Sequence, residues 1–257
     1  MQRCWTGKLR RRYRWQHTAS TTWVGLALHP GATYTGVMMI IPPSCAATDV
    51  TLFSLPISTY GLIAEIVLVE KGVPFELVDV EPSSAEHRER HPFGKVPVLE
   101  HRRGGSTFRI FESLAVARYV DEAFDGPALQ PGDVLARATM MQWVQSVNAY
   151  LFPTITVGIS KPRLFPGPEP IDEDSIATAV VNAGQQLDLV ETALTASPWL
   201  AGDELTLADI FLFPVLGAVS LTPEGGPLLA TRPKCVAWFE SMQERESVRT
   251  TGGAARS

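Results

Sequence analysis

Two short segments carry the residue types that could hold an acid group between them. In His91-Pro92-Phe93-Gly94-Lys95-Val96-Pro97-Val98 a glycine turn delivers a Val-Pro bond into a strand. Proline there removes a ladder donor and so marks an edge, a bulge or a cis bond. In Phe111-Glu112-Ser113-Leu114-Ala115 a strand ends in an acid and a serine that opens a helix. A helix start presents free backbone N–H groups and a positive dipole end, which suit a carboxylate. Taken alone, Glu112 and Ser113 can equally be a helix cap, and Val96-Pro97 a strand-edge proline.

The elements that position these segments begin at Val50. The apolar run 50–55 reads as a strand closed by Pro56, and Ala64, Ile66, Val67, Leu68 and Val69 as a helix ending at Gly72. The alternating stretch 75–80 reads as a second strand, so the opening is a βαβ unit with a parallel pair. A polar segment, 83–90, leaves room for a helical turn or two. Strands at 98–100 and 108–111 flank Arg103-Gly104-Gly105-Ser106, a hairpin signal. A helix over 112–123 completes a βαβαββα module. Beyond it strand signals are scarce. Asp133 can cap a helix running through Trp143, Val147 and Leu151, and the proline-rich stretch 153–170 reads as a loop. Helices follow at 172–194 and 234–244, the latter burying Val236, Trp238 and Phe239. Between them Thr206 and Asp209 have the spacing of a capping box.

Composition narrows the function. The chain has 257 residues, 45% of them apolar, enough for one large or two modest cores. Its net charge of −5 is uneven. Residues 1–48 carry six Lys or Arg and no acid, whereas residues 49–257 carry 16 basic against 27 acidic groups. An acidic body with no basic stripe argues against nucleic-acid binding. Cys4, Cys45 and Cys235 are isolated, so neither a disulfide scaffold nor a metal site is expected. No apolar run has the length of a membrane span. The expected location is cytoplasmic; the alternative is mitochondrial, because the first 48 residues are rich in Arg, Ser and Thr and free of acids, as transit peptides are.

An α/β module of this order followed by an all-α domain, with these motifs and this capping box, resembles the cytosolic glutathione transferases. Pro56-Ile57-Ser58-Thr59, Glu86-His87-Arg88, Pro92-Phe93-Gly94-Lys95-Val96-Pro97 and Phe111-Glu112-Ser113 are most similar to the phi class and its relatives. The resemblance spans about 50–248 and implies an N-terminal thioredoxin-like domain over 49–124, a linker over 125–132 and a C-terminal helical bundle over 133–248. Residues 1–48 are then an extension and 249–257 a tail. It implies glutathione as co-substrate, a homodimer, and a glutathione site in which Glu112 meets the γ-glutamyl amine and Ser113 its carboxylate. A cis Val96-Pro97 bond would turn the Val96 backbone toward the cysteinyl amide. Lys95, His87 and Arg88 would bring positive charge to the glycyl carboxylate, although a solvated helix face explains His87-Arg88 almost as well. Ser58, with Thr59 as runner-up, would donate a hydrogen bond to the thiol sulfur; its plain alternative is an N-cap. Ile57, Tyr60, Met140, Met141, Trp143 and Phe165 would line an apolar electrophile pocket between the domains.

A serine rather than a cysteine at this position is similar to conjugating and peroxide-reducing members. Two departures stand out. Leu62-Ile63 occupies the place where phi-class members carry a basic residue, and the segment between Arg88 and Pro92 is several residues short. The first favours an alternative reading, a non-catalytic ligandin-like carrier with a retained glutathione site. A glutathione-dependent isomerase ranks lower, since its serine-serine-cysteine turn is absent.

Overall fold

The structure, a computed structural model, describes residues 10–12 and 48–251. Most of the segment read as a possible transit peptide, and most of the tail, lie outside the described residues. The first domain contains β2 (Val50–Ser54), α1 (Thr59–Glu70), β3 (Glu76–Asp79), α2 (Ala85–Arg88), β4 (Val98–Arg103), β5 (Ser106–Phe111) and α3 (Ser113–Ala123), preceded by a three-residue strand β1 (Arg10–Arg12). The sheet order is β1-β3-β2-β4-β5. β2 and β3 run parallel, as a crossover helix requires, and the other neighbours are antiparallel. The β4–β5 hairpin turns on Gly104 and Gly105, both at positive φ, a conformation that glycine adopts without steric cost. β1, on the β3 edge, was not anticipated from the sequence, where residues 1–48 read as an extension.

The helices are packed on one continuous core. α1 buries Ile63, Ala64, Ile66, Val67 and Leu68 against the sheet and the second domain. That domain consists of α4 (Val134–Ser146), a π-helical stretch (Val147–Ser160), α5 (Lys161–Leu164), α6 (Glu173–Ala196), α7 (Leu207–Ser220), α8 (Gly225–Ala230), α9 (Pro233–Gln243) and α10 (Glu246–Thr251). α7 is apolar on all sides, the pattern of a helix in the middle of a bundle. Its capping box forms: Asp209 accepts the N–H of Thr206 at 3.0 Å, and also those of Leu200 and of the Trp238 indole.

Residues 153–164 are helical rather than looped. Pro153 lacks a donor, which would break an α-helix, yet Leu151, Ile155 and Ile159 recur every four residues and are all buried. Their burial holds the segment helical in the wider π form, with the Ser160 hydroxyl donating to the Ile155 carbonyl. α9 is rotated from the expected facing: Cys235, Trp238 and Met242 point inward, while Val236 and Phe239 are half-buried.

The domains are tied together by charge as well as by apolar surface. The buried Lys71 ammonium bonds Asp121 and the carbonyls of Gly126 and Pro127 in the linker. At the end of α1, Glu70 takes a two-pronged hydrogen bond from Arg245 (2.6 and 2.8 Å) and another from Ser247. No helix among the described residues is long and apolar enough to cross a membrane.

Candidate active site

Strand register brings the three segments together. β2 runs antiparallel to β4 with Phe53 opposite Val98, and β4 opposes β5 with Val98 opposite Phe111. The end of β2, the start of β4 and the end of β5 therefore meet at one edge of the domain. Ser58 follows the first, Val96-Pro97 precedes the second, and Glu112 follows the third.

The Val96-Pro97 bond is cis. Neither the N–H nor the C=O of Val96 bonds to another described residue, so both are available to an extended ligand. Glu112 has φ 71° and is the only non-glycine residue with positive φ among those described. Such a conformation costs energy in a residue bearing a β-carbon, and it persists where function needs it. Its carboxylate makes no cap hydrogen bond to α3, so the plain capping explanation of this acid fails. Ser113, buried, opens α3, whose first N–H groups face the same point.

Ser58 is the N-cap of α1, accepting the Gly61 N–H at 3.0 Å. The cap role uses the oxygen lone pair and leaves the hydroxyl proton free to donate, so capping and sulfur binding are compatible. Thr59 is the first helical residue. Leu62 is half-buried and Ile63 wholly buried in the core, so the place of a basic residue has gone to packing.

His87 requires a correction. It is 1% exposed, and its Nε2–H donates to the Lys95 carbonyl at 2.7 Å. It braces the loop from below rather than presenting charge to a ligand. The cause is the shortened segment: α2 is a single turn capped by Ser84, and the chain must then return at once to β4. Arg88 and Lys95 are exposed. A β-carbon on Gly94 would lie 3.4 Å from the Arg88 guanidinium carbon, so Arg88 lies over this turn, next to Lys95. The pair forms a basic rim beside the Val96 backbone.

His91 was not among the expected site residues. It is buried, packs on Phe111 in a tilted arrangement with ring centroids 4.6 Å apart, and its Nδ1 accepts the Phe93 N–H at 3.3 Å. Burial holds its pKa below the ordinary imidazole value, with His87 and Lys95 adding to the effect and Glu112 opposing it. Nothing in residue type distinguishes it; its value lies in where the loop folds.

Met140 is wholly buried in the helical core and lines no crevice, a second correction. Met141 and Trp143 are half-buried against the same core, and Ile57 and Phe165 are exposed. Tyr60 packs on Phe152 with ring centroids 4.6 Å apart, joining α1 to the second domain. Phe152 carries no site signal in the sequence, because it adjoins Pro153 and the stretch that reads as loop. A cavity of about 650 Å³ beside Glu70, Arg245 and Ser247 lies at the far end of α1 and shares none of these residues. Among the described residues, no group of three or more His, Cys, Asp or Glu is placed to hold a metal ion.

Comparison with known proteins identifies the family. Residues 48–122 match the glutathione S-transferase N-terminal domain family and residues 173–241 its C-terminal domain family. Glutathione S-transferase F12 of Arabidopsis thaliana is 31% identical over 191 residues, covering 70% of this chain and 86% of that protein. Poplar glutathione transferase F1 superposes with a TM-score of 0.71 at 29% identity, over 80% of this chain and 97% of that one. A glutathione S-transferase-I bound with lactoylglutathione superposes at 0.68, with 26% identity and 79% and 98% coverage. With both halves matched in order around one thioredoxin-like edge, the chain belongs to the glutathione S-transferase family, on its phi-like branch.

Proposed function

We propose that this chain binds glutathione at the Ser58, Val96-Pro97 and Glu112 edge and transfers its sulfur to hydrophobic electrophiles. The convergence of these three segments carries the reading. Glu112 meets the γ-glutamyl amine, Ser113 and the α3 N–H groups its carboxylate, the Val96 backbone the cysteinyl amide, and Arg88 with Lys95 the glycyl carboxylate. Lactoylglutathione in the relative supports a glutathione-shaped site of this kind.

A free thiol with a pKa of about 8.5 is mostly protonated at neutral pH, and the thiolate is the nucleophile. Each unit of lowering takes about 1.4 kcal/mol of selective thiolate stabilisation. The Ser58 hydroxyl proton and the N-terminal dipole of α1 supply it. The thiolate then attacks the electrophile in a crevice walled by Tyr60 and Phe152, with Ile57, Met141, Trp143 and Phe165 as further contacts. The same thiolate suits peroxide reduction. We place the protein in the cytoplasm as a homodimer, in keeping with the family resemblance.

The apolar Leu62-Ile63 pair favours a second reading, a carrier that binds glutathione without turnover. Calorimetric titration with glutathione, followed by turnover of a chloronitrobenzene, separates them. Turnover that falls in Ser58→Ala supports the transferase; tight binding with no turnover of any electrophile supports the carrier.

A further inference from the structure

β3 lies on the side of the sheet away from β4 and β5, so its outer edge takes no part in the frame of Ser58, Val96-Pro97 and Glu112. It is a strand of four residues, with Leu77 buried, Glu76 and Val78 half-buried and Asp79 exposed. Such an edge offers a row of backbone N–H and C=O groups to any extended chain that comes beside it. A half-buried carboxylate on the edge calls for a positive neighbour. The register carries one row across the sheet from Glu76 through Thr51 and Glu100 to Arg109, and Glu100 pairs there with Arg109 at 2.7 Å. At the other end of the row β1 pairs antiparallel with β3, setting Arg12 opposite Glu76, Arg11 opposite Leu77 and Arg10 opposite Val78. Opposite charges facing each other across a strand pair stabilise it, and like charges destabilise it.

We infer that the β3 edge is a docking site for an extended, arginine-rich segment, that its occupant is this chain's own residues 10–12, and that Glu76 selects that occupant by charge. Charge complementarity favours this segment. Residues 1–48 carry six Lys or Arg and no acid, and half of those six are Arg10, Arg11 and Arg12, whereas residues 49–257 carry 27 acidic against 16 basic groups. The connection also favours it. Residues 13–47 join the segment to the body, the entropic cost of closing so long a loop grows only slowly with length, and the covalent link keeps the segment at high local concentration. Docked, the segment covers an edge along which sheets otherwise associate. Displaced, it leaves an edge that a second basic strand can take. This docking is independent of glutathione chemistry.

Hydrogen–deuterium exchange on the full chain tests the inference, read at the amides of Glu76–Asp79. Arg11→Pro removes a ladder donor from the docked strand without altering the body, and should speed that exchange by about 10-fold. Arg12→Glu sets like charges opposite each other and should speed it by about threefold; adding Glu76→Arg should return the wild-type rate. In the Arg11→Pro protein, a peptide of the sequence Lys8-Leu9-Arg10-Arg11-Arg12-Tyr13 should restore protection, and the same peptide with glutamate for each arginine should not. Both single variants lie in the extension, so folding of the body is not at stake, and glutathione affinity should be the same in each. Equal exchange in wild type and Arg11→Pro overturns the docking. Protection in the wild type that fades on dilution assigns the edge to a second copy and overturns residues 10–12 as its intramolecular occupant. Equal rescue by the two peptides overturns selection by Glu76. All three results leave the transferase reading untouched, which fails only on loss of glutathione binding or turnover in the wild type.

Discussion

The Gly61 N–H donates to Ser58 Oγ at 3.0 Å, and this bond orients the hydroxyl to which we assign thiolate activation. The serine is held as an acceptor by its own helix and has its proton to spare. Removing the hydroxyl therefore removes two things at once. Ser58→Ala should cost about 1 kcal/mol of helix capping and, separately, a charge-assisted hydrogen bond worth about 1.5–3 kcal/mol. The second loss corresponds to a fall of about 10- to 100-fold in kcat/KM. Ser58→Gly isolates it, because glycine caps nearly as well as serine. Thermal unfolding and the ultraviolet absorbance of the bound thiolate across pH check both parts. A Gly variant with wild-type thiolate pKa would remove Ser58 from the mechanism; Thr59→Ala should be mild by both measures.

Gly61 is needed for the space it leaves. A β-carbon there would fall 1.9 Å from Ser54 Oγ, and Ser54 is wholly buried where β2 meets α1. Gly61→Ala should therefore destabilise by about 1–3 kcal/mol, the usual cost of overpacking, and push the Gly61 N–H off Ser58. Adding Ser54→Ala removes the clashing oxygen, which makes only a long 3.5 Å bond to the Leu55 carbonyl. The double variant should regain most of the loss. Denaturant unfolding of the four proteins gives the coupling directly; simple additivity would mean that the two side chains do not compete for this space.

His91 should make glutathione binding sensitive to acid. Its Nδ1 must be unprotonated to accept the Phe93 N–H, and that bond shapes the loop ahead of Lys95 and Val96. The ring faces Glu112, His87 and Lys95, and its folded pKa is lowered. Protonation thus sets in below the ordinary imidazole value of about 6.5, turning the acceptor into a donor. Affinity for glutathione should hold at neutral pH and weaken as the pH falls through the lowered pKa. His91→Asn, whose amide oxygen can replace Nδ1, should bind at neutral pH and lose that dependence. Titration calorimetry between pH 5 and 8 would decide it; an unchanged acid limb in the variant would assign the effect to another group.

Much of this site was legible because its signals are local. A proline before a strand, an acid and a serine at a helix start, and a threonine three residues before an aspartate each speak through backbone chemistry within a few residues, and Val96-Pro97, Glu112-Ser113 and Thr206-Asp209 all occupy such places. What escaped depends on tertiary contacts. Pro153 reads as a breaker until Leu151, Ile155 and Ile159 are seen buried together. His87 reads as a surface charge until the shortened α2 folds it beneath Lys95. The contact of Tyr60 with the second domain needs Phe152, a residue 92 positions away that only packing brings near.

The link between Glu70 and the Arg245-Ser247 pair should govern acid stability of the joined domains. Burial raises the Glu70 pKa, but the hydrogen bonds from Arg245 and Ser247 outweigh it, and the carboxyl titrates below its usual value. A depressed folded pKa means that the unfolded chain binds the proton more readily, so the contribution is fully present above the unfolded value of about 4.3. It is lost as the pH falls through the folded pKa. Glu70→Gln should lower the melting temperature at pH 7, because Arg245 is left half-buried without its counter-charge, and should flatten the stability curve below pH 5. Melting curves from pH 3 to 8 for both proteins test the point. Parallel curves over the acid range would show that other carboxylates control the transition, and would reduce the Glu70 link to a static contact between α1 and the end of the chain.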